Sequence, residues 1–268
     1  MPDMPLPAPG FVAYEGSATA TAAGSTNTKG SYTTVVASTS MDATGILISS
    51  ETTNVSVSHL IDIAIGAAAS EVVVLPNWLM NSAPGINHWI YIPVNLPAGS
   101  RISVRNQGST ASAAIVVAAH LVRGSLFSAP NAGRIVDYGT VTATSFGTSI
   151  DPGAVANTYG SWTQITASTT EDISAIYLQL GHHNNSAPQL IDSAGFRMDI
   201  GVGAAASEVL AWGPISFGSY TNGAYGPMSN LWFPISIPAG VRLSVRARTT
   251  TTDATDRKFD IAIYALAH

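Results

Sequence analysis

Asp62-Ile-Ala-Ile-Gly-Ala-Ala-Ala-Ser-Glu71-Val returns later in the chain as Asp199-Ile-Gly-Val-Gly-Ala-Ala-Ala-Ser-Glu208-Val. A second string follows each copy. Pro93-Val-Asn-Leu-Pro97-Ala-Gly99-Ser-Arg101-Ile-Ser-Val-Arg105 returns as Pro234-Ile-Ser-Ile-Pro238-Ala-Gly240-Val-Arg242-Leu-Ser-Val-Arg246. The chain therefore holds one unit twice, and 268 residues divide into two units of ordinary domain size.

Working outward, Gly30-Ser-Tyr32 aligns with Gly160-Ser-Trp162, and Ile115–Val117 aligns with Ile261–Ile263, so the spacing between copies grows along the chain. A weaker echo upstream sets Thr19-Ala-Thr21 against Thr142-Ala-Thr144. This places an extended N-terminal arm at 1–11, the first unit at 12–123, a linker at 124–135 and the second unit at 136–268.

Within each unit the apolar residues alternate. His59, Ile61, Ile63 and Ile65 share one parity, with Ser58 and Asp62 on the other. In the second unit Phe196, Met198 and Ile200 alternate with Arg197 and Asp199, and Phe259, Ile261 and Ile263 with Asp260 and Ala262. Side chains on a strand change faces at every residue, so this pattern predicts one buried and one wet face. Roughly eight short strands per unit, poor helix signals and frequent β-branched residues predict an all-β chain. The expected architecture is two tandem antiparallel β-sandwich domains of jelly-roll type, related by the repeat. The Gly-Ala-Ala-Ala-Ser strings read as tight small-residue bends, and Pro97-Ala98-Gly99 and Pro238-Ala239-Gly240 as turns with Pro at the first central position.

Composition narrows the function classes. Charged residues are only 10%, well below the usual share, which suggests a surface partly covered by neighbours in an assembly. The net charge is −5 and no Lys/Arg cluster occurs, which argues against nucleic acid. There is no cysteine, so disulfides and thiol chemistry are excluded. The N-terminal stretch has no basic or apolar region of a secretory signal, and no run of about 18 apolar residues predicts membrane insertion. No cofactor is expected.

Few residues suggest chemistry. Asp62, Glu71, Arg101 and Arg105, with their counterparts Asp199, Glu208, Arg242 and Arg246, keep both signs in both copies. They read as structural ion pairs rather than an arginine stripe for a partner. Glu71 and Glu208 lack a second acid across a cleft, as glycoside cleavage would need. His182 and His183 have no third ligand at a metal-binding spacing. No catalytic signature of the HExxH or GxSxG type is present. The expectation is a non-enzyme with no metal. Trp212, Phe217, Tyr220 and Tyr225 crowd one Gly- and Asn-rich stretch, read as a candidate recognition loop for sugar or protein or as aromatics capping the sandwich.

The linked pair of repeated strings resembles a recurring module of tailed-bacteriophage virion structural proteins, of head-decoration, tail or fibre type. The resemblance spans most of both copies. It implies a β-sandwich module used in particle assembly, located in the virion after assembly in the host cytoplasm. Its partners would be other virion proteins and copies of itself. The alternative is a lectin-like protein that binds a host-surface glycan or receptor through the second copy's aromatic stretch.

Overall fold

The computed structural model describes residues 11–51, 57–80, 88–124, 133–182, 195–218, 232–252 and 258–268. Among them there is no helix, and thus none long and apolar enough to cross a membrane. The proposed arm at 1–11 lies, but for residue 11, outside the described residues.

The first unit contributes β1 (Phe11–Thr21), β2 (Thr33–Val36), β3 (Ala43–Glu51), β4 (His59–Ile65), β5 (Val72–Met80), β6 (His88–Leu96), β7 (Ile102–Gly108) and β8 (Ala114–Arg123). The second contributes β9 (Arg134–Tyr138), β10 (Thr148–Ile150), β11 (Thr163–Thr166), β12 (Ile173–His182), β13 (Gly195–Val202), β14 (Val209–Gly218), β15 (Phe233–Ile237), β16 (Leu243–Thr249) and β17 (Phe259–Ala267).

The first unit forms two antiparallel sheets in the orders β1-β8-β3-β6 and β2-β7-β4-β5. The second repeats them as β10-β17-β12-β15, with β9 also paired to β17, and β11-β16-β13-β14. Two four-stranded sheets with these crossovers are a jelly roll, built twice. The inner faces are apolar. Ile46, Ile48, Ile61, Ile63, Val104 and Val117 are buried in the first core, and Met198, Ile200, Val245, Phe259, Ile261 and Ile263 in the second.

β9 and β10 together take the place of β1. Tyr138 lies opposite Ile263 and Thr148 opposite Ile261, so the intervening stretch 139–147 leaves the strand and returns. The first unit marks nearly the same place with only a register shift between Tyr14 and Gly16. The extra stretch leans on the first unit. Ser58 donates to the Ser145 carbonyl at 2.6 Å, and Gln107 donates to the Thr142 carbonyl at 2.5 Å and the Ser145 hydroxyl at 3.0 Å.

Three expectations are corrected by register. Thr19–Thr21 corresponds to 149–151, since Gly30 closes on the Thr21 carbonyl as Gly160 closes on that of Asp151; Thr142–Thr144 belongs to the extra stretch. His120 lies opposite Leu47 as Tyr264 lies opposite Tyr177, so Ile115 corresponds to Phe259 rather than Ile261. A slip of two residues keeps every side chain on its face, so the alternation cannot detect it. The turn expectation also moves by one residue: Ser100 N–H bonds the Pro97 carbonyl at 3.3 Å, which makes Ala98 and Gly99 the central pair. Gly99 adopts φ +83°, the left-handed region that glycine enters without a Cβ clash.

The expected wet faces are dry in two places. β4 is buried on both sides up to its last residue, and β17 along its whole length. The reason is that the units dock on each other. Ile261 and Ile263 fill the second core, whereas Ala262, Tyr264 and Leu266 join the first unit's cluster, together with Ile135, Ala175 and Tyr177.

Candidate functional site

The repeated charged residues form two clasps per unit. In the first clasp Arg101 meets Glu71 at 2.9 Å, the Thr34 hydroxyl at 3.1 Å and the Gly66 carbonyl at 3.4 Å. Its counterpart Arg242 meets Glu208 at 2.7 Å, Gln164 at 3.0 Å and the Gly203 carbonyl at 3.5 Å. One guanidinium thus ties the bend after β4 or β13 to the neighbouring strands. The bend itself is a tight turn in which Ser70 N–H bonds the Ala67 carbonyl, as Ser207 bonds Ala204, both at 3.0 Å. The hydrogen bond from Arg101 holds the Glu71 carboxyl below its ordinary range. Burial pushes the Glu208 carboxyl up, but hydrogen bonds from Arg242 and from backbone N–H groups outweigh it and leave the group lowered.

The second clasp lies directly across the strands. Asp62 faces Arg105 between β4 and β7, and Asp199 faces Arg246 between β13 and β16. Asp62 accepts from Arg105 at 2.7 Å, Lys29 at 2.6 Å and Asn77 N–H at 2.8 Å. Asp199 accepts from Arg246 at 2.9 and 3.0 Å and from the Tyr159 hydroxyl at 3.0 Å. Each arginine is covered by an aromatic ring: Tyr32 over Arg105 at 4.8 Å, and Trp162 over Arg246 at 4.5 Å. All eight residues singled out from the sequence therefore meet in carboxylate–guanidinium pairs. The carboxylates are shielded, with 1–8% of their side-chain surface exposed. A carboxylate so held serves as a structural acceptor that ties neighbouring strands together.

A third repeated clamp lies outside the residues that the charge pattern singles out. Thr39 donates to the Pro97 carbonyl at 3.1 Å and Asp42 accepts from Ala98 N–H at 2.7 Å. Thr169 and Asp172 do the same to Pro238 and Ala239 at 2.8 and 2.7 Å. Its signal is the pair Ser38-Thr39-Ser40-Met41-Asp42 and Ser168-Thr169-Thr170-Glu171-Asp172.

The aromatic stretch is divided. Trp212 and Phe217 lie on strand β14, not in a loop. Phe217 stacks on Phe196 at 5.1 Å inside the second core, and Trp212 packs against Phe233 at 4.1 Å. Tyr220 and Tyr225 lie outside the described residues, as does His183. Among the described residues no three His, Cys, Asp or Glu side chains gather as a metal site would need.

Among the described residues, a dense set of polar contacts lies at the seam between units. The outer face of β17, β12 and β9 receives the edge strands β5 and β6. The Tyr264 hydroxyl accepts from Leu79 N–H and donates to the Asn77 carbonyl, both at 2.7 Å, which satisfies groups an edge strand leaves open. Asn77 donates to Asp137 at 3.1 Å, Tyr177 to the Trp89 carbonyl at 2.9 Å and Trp232 to the Tyr91 carbonyl at 2.7 Å. Gln179 donates to His88 Nδ1 at 3.0 Å. Burial pushes the His88 imidazole down to about 4, so it docks neutral. Elsewhere on the second unit, Arg197 and Arg248 face each other across β13 and β16 at a cleft of about 310 Å³.

No protein-family model matches the chain, and no curated protein matches it. Among solved structures it is similar to PNGase F, a glycosylasparaginase from Flavobacterium meningosepticum, at 10% identity and a TM-score of 0.34, over 96% of each chain. The expectation of a non-enzyme is corrected by this neighbour, which is an enzyme. A likeness of this strength assigns neither that activity nor any residue role to the present chain.

Proposed function

We propose that this chain is a virion structural protein of a tailed bacteriophage, which decorates the capsid or forms part of a tail or fibre attachment, and that it works through protein–protein docking. The observation that carries the reading is the seam itself. One sandwich of this chain receives the edge of another on a largely apolar sheet face, with a few hydroxyl and amide groups placed to satisfy the edge. The low charge content favours the same reading, because it suits surfaces that end against neighbours. So does the resemblance of the repeated strings to phage structural modules.

Mass spectrometry of particles purified from the culture that makes the chain is the test. The proposal expects a fixed ratio of this chain to the major shell protein. Intact particles that lack it, with the chain free in the lysate, overturn the reading.

A further inference from the structure

The seam uses one face and one edge, and the repeat supplies each of them twice. The second unit's face, on β9, β17 and β12, is covered; the first unit's equivalent face is sealed at Val122 on β8 and half-buried at His120 and at Leu47 on β3, but open along β1 and at Val116. There Tyr14 is 61% exposed, with Val12 exposed on the same strand and Val116 exposed farther along β8, opposite Thr19. The first unit's edge strand β5 is covered from Trp78 to Met80; on β14 the matching Ile215 and Ser216 are not buried. We propose that the open face of one chain receives the open β14 edge of a second copy of the same chain, repeating between chains the contact already made within one.

Register identifies the partners. His120 occupies the position of Tyr264, and Tyr14, opposite His120, that of Asp137, opposite Tyr264. On the edges, Leu79 pairs with Leu60 as Ser216 pairs with Arg197, so Pro214 occupies the position of Asn77. The contact inside the chain joins the Asn77 amide to Asp137. Between chains the same place would join Pro214 to Tyr14, two exposed residues that suit each other as ring on ring. Both members of the polar pair are replaced together, by an apolar pair. Tyr14 already leans on His120, their rings 5.3 Å apart, and Trp89 flanks His120 at 5.5 Å. His120, half-buried between these rings, would take the place of Tyr264 beneath the incoming strand.

Because face and edge are different surfaces, the contact is head-to-tail and closes into a ring or continues as a filament. The inference deepens the assembly reading and rests on it, by naming one partner and the surface it uses.

Sedimentation velocity of the full chain over a rising concentration series is the test. Wild type forms species larger than the monomer. Tyr14→Glu on the face, or Ser216→Lys on the edge, each raises the apparent dissociation constant about tenfold or more, as loss of an interface anchor does. Unchanged circular dichroism shows that each variant is folded, and Val116→Lys is the second face variant if Tyr14→Glu is not. An equal mixture of the face and edge variants regains a dimer and nothing larger, since only one competent face meets one competent edge.

Three results overturn the contact. One is a wild type that stays monomeric throughout while it is still present in particles, which leaves the virion reading standing. The second is association untouched by either variant. The third is a monomeric wild type that associates once residues 1–10 are deleted, which would make the chain's own N-terminus the cover. A chain that associates as described but is missing from particles supports the contact and removes the virion reading instead.

Discussion

β8 and β17 are the same strand of the repeated unit, and their outer faces differ. On β8 that face carries Val116, Ala118 and His120 and meets solvent over much of its length. On β17 it carries Ala262, Tyr264 and Leu266 and is sealed against the first unit. The inner faces hardly differ in kind, since both fill a sandwich core with aliphatic side chains. The lesson is that duplication conserved what makes a sandwich fold and released what a sandwich presents. A second difference lies in the cores. The first unit buries His59 against Asn106 at 3.0 Å, where the second stacks Phe196 on Phe217 and sets it edge-to-face with Phe259. The first unit thus keeps a hydrogen-bonded pair where the second is wholly apolar.

The comparison predicts its largest effect at Tyr264. Tyr264→Ala removes a fully buried ring and leaves Leu79 N–H and the Asn77 carbonyl unsatisfied, at a cost of about 4 kcal/mol in chemical denaturation. His120→Ala, at the matching position of the open face, should cost less than about 1 kcal/mol in the monomer. Equal losses would mean that the two faces are equally covered. Asp62→Ala and Asp199→Ala come next, at about 3 and about 2 kcal/mol respectively, because each leaves a half-buried arginine without its carboxylate. Asp62→Ala should exceed Asp199→Ala by about 1 kcal/mol, since Asp62 also holds Asn77 N–H of the docked edge.

Acid tests the seam in another way. The folded His88 imidazole titrates at about 4, below its ordinary value, so the unfolded chain takes up a proton first. Its contribution is complete above roughly pH 6.5 and is lost as the pH falls towards 4, by roughly 2–3 kcal/mol. His59, lowered by burial and only partly offset by its hydrogen bond to Asn106, acts in the same direction. In His88→Gln the midpoint of denaturation should change less between pH 7 and pH 4. An unchanged slope would remove His88 from the account. The smallest expected effect is at the exposed tips: Val72→Thr and Val209→Thr should each shift stability by no more than about 0.5 kcal/mol.

Much of this is legible in the sequence. The alternation of Phe196, Met198 and Ile200 with Arg197 and Asp199 marks a strand and its core face, and the repeated Asp, Glu and Arg positions mark the clasps. The seam was not legible, for a physical reason. Asp260, Ala262, Tyr264 and Leu266 sit on the parity that a lone sandwich leaves wet, and alternation is silent on whether a second body covers that face. Tyr264, opposite Tyr177, stands where the first unit has His120 opposite Leu47, a hint visible only once the strands are in register. That register was itself obscured by the stretch 139–147, which interrupts the equivalent of β1. The aromatic stretch is misleading because Trp212 and Phe217 are five residues apart, which in a regular strand sends side chains to opposite faces; the register shift between them brings both to the core, and Gly213 and Pro214 there read as loop.

Native-state hydrogen exchange on dilute, monomeric chain tests the central claim most directly. Leu79 and Ser216 occupy matching outward positions on the edge strands β5 and β14, and among the described residues only Leu79 N–H is held by a hydroxyl of the other unit. The account predicts that Leu79 exchanges only with global unfolding, while Ser216 exchanges orders of magnitude faster, through local fluctuation. Equal, fast exchange at both amides would contradict it, because the two units would then not be docked in solution.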